Sequence, residues 1–105
     1  MYYRITTFTY DPARESEVLA QADSGRDGMN SIDGLQSGCA VRVAEGKCIS
    51  VGIYDSAESA AAAQSKIQEL WSGMAPLMTS PPELQEGPTI WELKYKMVQN
   101  GLITR

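Results

Sequence analysis

LQSGCAVRVAEGKCISVGIY, residues 35–54, decides the fold. It reads as two strands meeting at Glu45-Gly46, and the length of the turn fixes which side chains share a face. A three-residue turn, with Gly46 in the positive-φ position of a bulged type I turn, puts Cys39, Val41 and Val43 on the same face as Ile49, Val51 and Ile53. Ala40, Arg42, Cys48, Ser50, Gly52 and Tyr54 take the other face. A two-residue turn would mix the sets, because a slip of one residue turns every side chain of a strand over. The segregation therefore favours the odd-length turn, with one apolar face and one small, polar and aromatic-edged face.

Working outward from the hairpin, Tyr2 to Tyr10 (YYRITTFTY) is dense in β-branched and aromatic residues and ends at Asp11-Pro12, the pattern of a strand closing into a turn. Asp11 before a proline marks a helix start, and Glu15 and Glu17 supply the negative charge that its first turns favour. Val18, Leu19, Ala22, Met29 and Ile32 recur at helical spacing, while Gly25 and Gly28 predict a weak or bent second half. Ile32-Asp33-Gly34-Leu35 punctuates the return to the sheet. Beyond the hairpin, Asp55 is the expected cap of a second helix, with Glu58 completing a capping box. From Ala57 to Met78 a broad apolar stripe runs for some six turns, led by alanines and finished by Trp71, Met74 and Met78, and Gly73 and Pro76 predict a kink or early end. After the breakers Thr79 to Pro82, and Pro88, the alternation of Thr89 to Tyr95 (TIWELKY) predicts the fourth strand. The expected organisation is one domain over residues 1–96 and a short tail, 97–105, that frays or lies across a partner.

Composition narrows the function. A chain of 105 residues with 43% hydrophobic content has room for one core. The sequence shows no apolar run of membrane-spanning length and no secretory leader, so a cytoplasmic protein is expected. A net charge of −4 with nine scattered basic residues argues against nucleic acid and anionic lipid as partners. Cys39 and Cys48 point to opposite faces of the hairpin and are expected as free thiols. The chain has no histidine, which removes histidine triads, most zinc sites and histidine-ligated haem. No metal and no cofactor is expected.

Strand, helix, strand, strand, helix, strand is the ferredoxin-like βαββαβ order, an α+β fold with a four-stranded antiparallel sheet and two helices on one face. Strands about 4.8 Å apart and about 20 Å long leave roughly 400 Å² of sheet uncovered. Tyr54 and Phe8 are expected there, with Tyr2 and Tyr10 if strand one presents its even positions. Such a face needs a cover, and a second copy of the same sheet provides one by symmetry. A homodimer packed sheet to sheet follows.

The opening RITTFTY with its Asp11-Pro12-Ala13-Arg14-Glu15 helix entry, the IDGLQSG turn and GIYDSAESAAAA together resemble the dimeric α+β barrel superfamily, and within it the antibiotic-biosynthesis-monooxygenase-like group, over residues 2–95. The resemblance implies a cofactor-independent monooxygenase oxidising a small aromatic substrate, of the quinol or anthrone type, in a cavity between sheet and helices. Other members degrade haem through a histidine ligand beside Asn and Trp; this chain has Trp71 on the corresponding helix and no histidine.

Each candidate residue also has a packing role to weigh. Trp71 and Met74 either contact substrate or fill the core under the helix stripe. Phe8 is placed with them. Arg42 either stabilises an enolate or phenolate, as cofactor-free oxidation requires, or forms a salt bridge with Glu92 or across the dimer. Arg4 has the same choice, on a strand whose inward face the sequence leaves open. Tyr54 donates to a ligand oxygen or caps the sheet edge. Cys48 lines the cavity or is a small filler. The general-base candidates are Glu92, Asp55 and Tyr54. The catalytic candidates are thus Arg42, Tyr54 and Glu92, and the substrate-binding ones Trp71, Phe8, Arg4, Met74 and Cys48. The alternative function is a non-catalytic small-molecule-binding or regulatory dimer. An RNA-binding module of the same strand order is disfavoured, because Lys47 to Val51 offers no aromatic platform.

Overall fold

In a computed structural model that describes residues 1–93, β2 (Leu35–Ala44) and β3 (Lys47–Tyr54) pair antiparallel around Glu45-Gly46. Val41 faces Ile49 and Cys39 faces Val51, the register expected from the odd-length turn. Gly46 has φ +73°, and a Cβ there would lie 2.6 Å from the Tyr10 carbonyl oxygen, so the position needs glycine. The Tyr10 N–H donates to the Gly46 carbonyl at 2.9 Å, tying the hairpin tip to the end of β1 (Tyr2–Thr9). β1 pairs with β3 on one side and with β4 (Glu83–Pro88) on the other, giving the order β2-β3-β1-β4. The described chain is thus the expected antiparallel α+β arrangement with its helical segments on one face.

Which face the helices cover differs from expectation. Phe8 and Tyr54 are expected on the open side, with Tyr10 if strand one presents its even positions there, and all three are buried, at 4%, 3% and 1% exposure. Register explains it: Phe8 opposes Cys48 and Tyr2 opposes Tyr54, so the even residues of β1 share the small, polar face of the hairpin, which admits the helices closely. The open face holds Tyr3, Ile5, Val41, Val43, Ile49, Val51 and Ile53. The surface in need of a cover is therefore aliphatic, with Val41 and Val43 about half exposed.

The first helical arm opens with a 3₁₀ turn, Pro12–Arg14, capped by Asp11, whose carboxylate accepts from the Ala13 N–H at 2.9 Å. It continues as α1 (Glu15–Ser24), stops at Gly25 and resumes as α2 (Arg26–Asn30), the interruption that the glycines foreshadow. The second arm is α3 (Ala57–Ala62), α4 (Gln64–Met74) and a 3₁₀ turn, Ala75–Leu77. Its cap is Ser56 rather than Asp55: Ser56 Oγ accepts from the Ser59 N–H at 3.1 Å, while Asp55 accepts from the Ser59 hydroxyl. The sequence stripe also runs unbroken through Ala63, where the structure breaks. The Ala60 carbonyl, whose helical partner would be the Gln64 N–H, accepts from Arg4 Nη2 at 3.0 Å, a side-chain insertion of the kind that interrupts helices.

The fourth strand lies earlier than expected. Glu83–Pro88 pairs with β1, and the expected Thr89–Tyr95 begins where that pairing ends, its Lys94 and Tyr95 lying outside the described residues, as does the 97–105 tail. Pro88 closes an edge strand, where a missing N–H is tolerated.

Candidate functional site

The layer between sheet and helices has a polar waist. Arg4 and Thr6, at 5% and 6% exposure, separate two apolar clusters. On one side Tyr54, Ala60 and Ala63 pack with Tyr2, Ile32, Leu35 and Ile67; on the other Phe8, Tyr10, Val18, Cys48 and Met74 pack with Trp71, Leu77 and Met78. Trp71 meets Phe8 edge to face, with ring centroids 5.3 Å apart at 70°, and Phe8 lies 5.9 Å from Tyr10. Phe8, Trp71, Met74 and Cys48, all substrate-contact candidates from the sequence, thus share one cluster.

A buried guanidinium needs its donors satisfied. Arg4 Nη1 donates to the Tyr54 hydroxyl at 3.1 Å, Nη2 to the Ala60 carbonyl and to Gln64 Oε1 at 2.9 Å, and Nε reaches Glu86 Oε2 at 3.4 Å. Tyr2 donates to the other Glu86 oxygen at 2.9 Å. The Arg4 head also lies 5.2 Å from the Tyr54 ring centroid. Burial pushes the Tyr54 hydroxyl pKa above its ordinary value, while the charge and hydrogen bond of Arg4 pull it back. Tyr54 thus stays a neutral phenol, accepting a hydrogen bond from a fixed cation.

At the far end, Tyr10 donates to Glu15 Oε1 at 2.5 Å and touches Cys48 Sγ at 3.4 Å. Arg42 grips Glu15 from outside, Nε to Oε1 at 2.9 Å and Nη2 to Oε2 at 3.2 Å. The hydrogen bond from Tyr10, then that from Arg42, holds the Glu15 carboxyl below its ordinary value. Contact with Cys48, then Glu15 and burial, raises Tyr10. Pro12, Glu15, Arg42 and the hairpin tip line a surface groove of about 530 Å³ beside this triad.

Within one chain the expected pairing of Arg42 with Glu92 is replaced. Arg42 bonds Glu15, not Glu92: Arg42 is on β2 at one edge of the sheet, whereas Glu92 follows β4 at the other and lines an open-face groove of about 610 Å³ with Tyr3 and Ile5. Glu92 and Tyr54 therefore lie on opposite faces. Asp55 is occupied by Ser59. Cys39 is exposed and Cys48 buried, both as free thiols. Glu15, Gln64 and Glu86 escaped the sequence reading. Glu15 had a sufficient role as a first-turn acid; the signal for its second role was the hairpin tip returning to Asp11-Pro12, which carries Arg42 to the start of α1. Among the described residues no group of three or more carboxylate and thiol side chains is arranged for a metal ion, and no helix is long and apolar enough to cross a membrane.

The sequence matches no known family pattern and no curated protein sequence. Its fold has many solved counterparts. The monooxygenase ActVA-Orf6 of Streptomyces coelicolor, solved with nanaomycin D, superposes with a TM-score of 0.75 at 16% identity, over 90% of this chain and 92% of that one. SnoaB, a cofactor-independent oxygenase of Streptomyces nogalater, gives 0.68 at 13% identity, covering 88% and 95%. A Bordetella bronchiseptica protein named for the antibiotic biosynthesis monooxygenases gives 0.73 at 16%, covering 86% and 97%. The chain has the fold of the antibiotic-biosynthesis-monooxygenase-like proteins, as its opening strand and helix entries implied.

Proposed function

We propose that this chain is a cofactor-independent monooxygenase acting on a small aromatic substrate of the quinol or anthrone type, working as a homodimer joined through its open sheet face. The fold shared with two oxygenases supports the reaction class. The observation that carries the reading is the buried pair of Arg4 and Tyr54 beside an aromatic cluster. A deprotonated phenol or enol gives an electron to dioxygen far more readily than its conjugate acid, and a fixed cation with an adjacent hydroxyl donor stabilises that oxyanion. For a methylene between aryl rings the balance closes without another reductant: the carbon loses two hydrogens and gains one oxygen, and the second oxygen leaves as water.

In this reading Arg4 and Tyr54 hold the oxyanion, Phe8, Trp71 and Met74 contact the rings, and Cys48 borders the far wall. Arg42 acts through Glu15, keeping the carboxylate against Tyr10. Glu92, on the opposite face, takes no part within one chain. A second reading, a ligand-binding dimer without turnover, is favoured by the state of Glu15, whose carboxylate is engaged by Tyr10 and Arg42 and is a weak base.

Oxygen uptake over a panel of quinols and anthrones separates the two. The enzyme reading expects substrate-dependent uptake that Tyr54→Phe slows by about a hundredfold, the usual effect of losing one oxyanion donor. Saturable binding of the same compounds with no uptake would establish the second reading instead.

A further inference from the structure

Forming an oxyanion means removing a proton, which needs an acceptor beside the place where the charge is held. Glu92 lies on the opposite face, Asp55 is held by Ser59, and Glu15 is gripped by Tyr10 and by two nitrogens of Arg42. Glu86 is placed differently. It sits directly across from Arg4 in the ladder of β1 and β4, so its side chain shares the helix-covered face with Arg4, Tyr2 and Tyr54.

Glu86 is loosely held. Tyr2 donates to Oε1 at 2.9 Å, while Arg4 Nε stands 3.4 Å from Oε2, long for a charge-assisted contact. A carboxylate offers about four acceptor sites, so both oxygens have capacity to spare. β4 is an edge strand and 34% of the Glu86 side chain is exposed, which puts the carboxylate at the solvent side of the waist with Arg4 and Tyr54 buried behind it.

Unspent donors lie behind that carboxylate. An arginine head has five N–H groups. Nε is directed to Glu86, Nη2 serves the Ala60 carbonyl and Gln64, and Nη1 serves the Tyr54 hydroxyl alone. One Nη1 N–H therefore has no acceptor among the described residues. The Tyr54 hydroxyl accepts from that same nitrogen, and its own hydrogen has no acceptor among them either. Gly52, opposite Arg4 on β3, has no side chain, and the phenol lies over it, its hydroxyl 3.9 Å from where a Cβ would stand. Two neighbouring donors left unmet at a buried position call for an acceptor supplied from outside. A carboxylate on one side of the Arg4 head and two oxyanion donors on the other are the parts needed to take a proton from carbon next to a carbonyl.

We propose that Glu86 is the general base of this site and that the chain catalyses keto–enol proton transfer on small aromatic ketones, an activity that needs no dioxygen. The proposal rests on the oxyanion role given to Arg4 and Tyr54 above and is independent of the oxidation that follows there. The C–H bond next to the carbonyl breaks and its proton passes to a Glu86 oxygen. The electron pair of that bond forms the C=C of the enolate, and the charge settles on the carbonyl oxygen, held by Arg4 Nη1 and Tyr54. Return of the proton restores the carboxylate, so no co-reactant is consumed. Tyr2 is a positioning residue, fixing the carboxylate through Oε1.

Deuterium wash-in followed by proton NMR tests it, with the full chain and β-tetralone in deuterated buffer under argon. The expected result is exchange at the methylene next to the carbonyl, proportional to protein and saturable in ketone. Glu86→Gln should slow it about a hundredfold or more, through kcat, with KM within about threefold. Glu86→Asp keeps a carboxylate on a shorter arm and should retain more of the rate than Glu86→Gln, with the urea midpoint of each variant as the check on folding. Exchange no faster than in buffer with the native chain would overturn the activity. Native-like exchange in Glu86→Gln, or folded Asp and Gln variants of equal rate, would overturn the base. Oxygen uptake with anthrone is measured separately: exchange without uptake would remove the oxidation and leave this proposal standing, whereas uptake without exchange would do the reverse.

Discussion

Arg4 does more than any other side chain to organise the site, because its single head group meets β4, the end of β3 and both halves of the broken helical arm. Replacing it with methionine keeps the bulk but strands the buried Tyr54 hydroxyl and Ala60 carbonyl, each of which costs about 1–3 kcal/mol when buried without a partner, and removes the partner of the half-buried Gln64 amide. Urea denaturation of Arg4→Met should therefore show a loss of about 3 kcal/mol or more, and a change under 1 kcal/mol would mean that water reaches the waist. Glu15 gives a pH signature. Its folded-state pKa lies below the ordinary 4.5, so its contribution to stability is complete above that value and disappears as pH falls through the lower folded-state value. Glu15→Gln should flatten the acid limb of the stability profile in that range and leave the neutral region with little pH dependence. An unchanged acid limb would mean that the link between Tyr10 and Arg42 through Glu15 is absent in solution.

The hairpin was legible because its information is local: period-two segregation and one glycine fix the register, and the structure repeats it from Cys39 to Ile53. Gly46→Ala should cost roughly 1–3 kcal/mol by thermal or chemical denaturation, through the positive φ and the approach to the Tyr10 carbonyl. Gly87→Ala, with nothing within 4 Å of the added carbon, should stay within about 0.5 kcal/mol. Equal effects at the two glycines would contradict the turn geometry. Less legible was which face the helices cover, since an aliphatic face and a small, aromatic-edged one can both be buried; close approach of the alanine-led α3 decided it. The fourth strand was misplaced because Thr89 to Tyr95 has the stronger alternation, whereas Glu83–Pro88 is an edge strand set by its partner β1 rather than by its own pattern. The contact of Arg42 with Glu15 spans 27 positions of sequence and depends on tertiary approach alone.

Taken whole, the molecule places its polar and aromatic chemistry under the helices and its aliphatic surface outside. In the proposed reading that division would separate activity from assembly. Val41→Asp, on a position half exposed in the single chain, should leave unfolding stability at low concentration within about 0.5 kcal/mol and shift sedimentation towards the monomer. Retention of full dimer mass would move the interface off the open face. The central claim concerns the reaction itself, and turnover of an anthrone under isotopically labelled dioxygen tests it most directly. The account predicts a quinone product carrying a single labelled oxygen, the other appearing in water, with no added metal, flavin or nicotinamide. Product formed with oxygen from the solvent, or bound anthrone recovered unchanged under dioxygen, would contradict it.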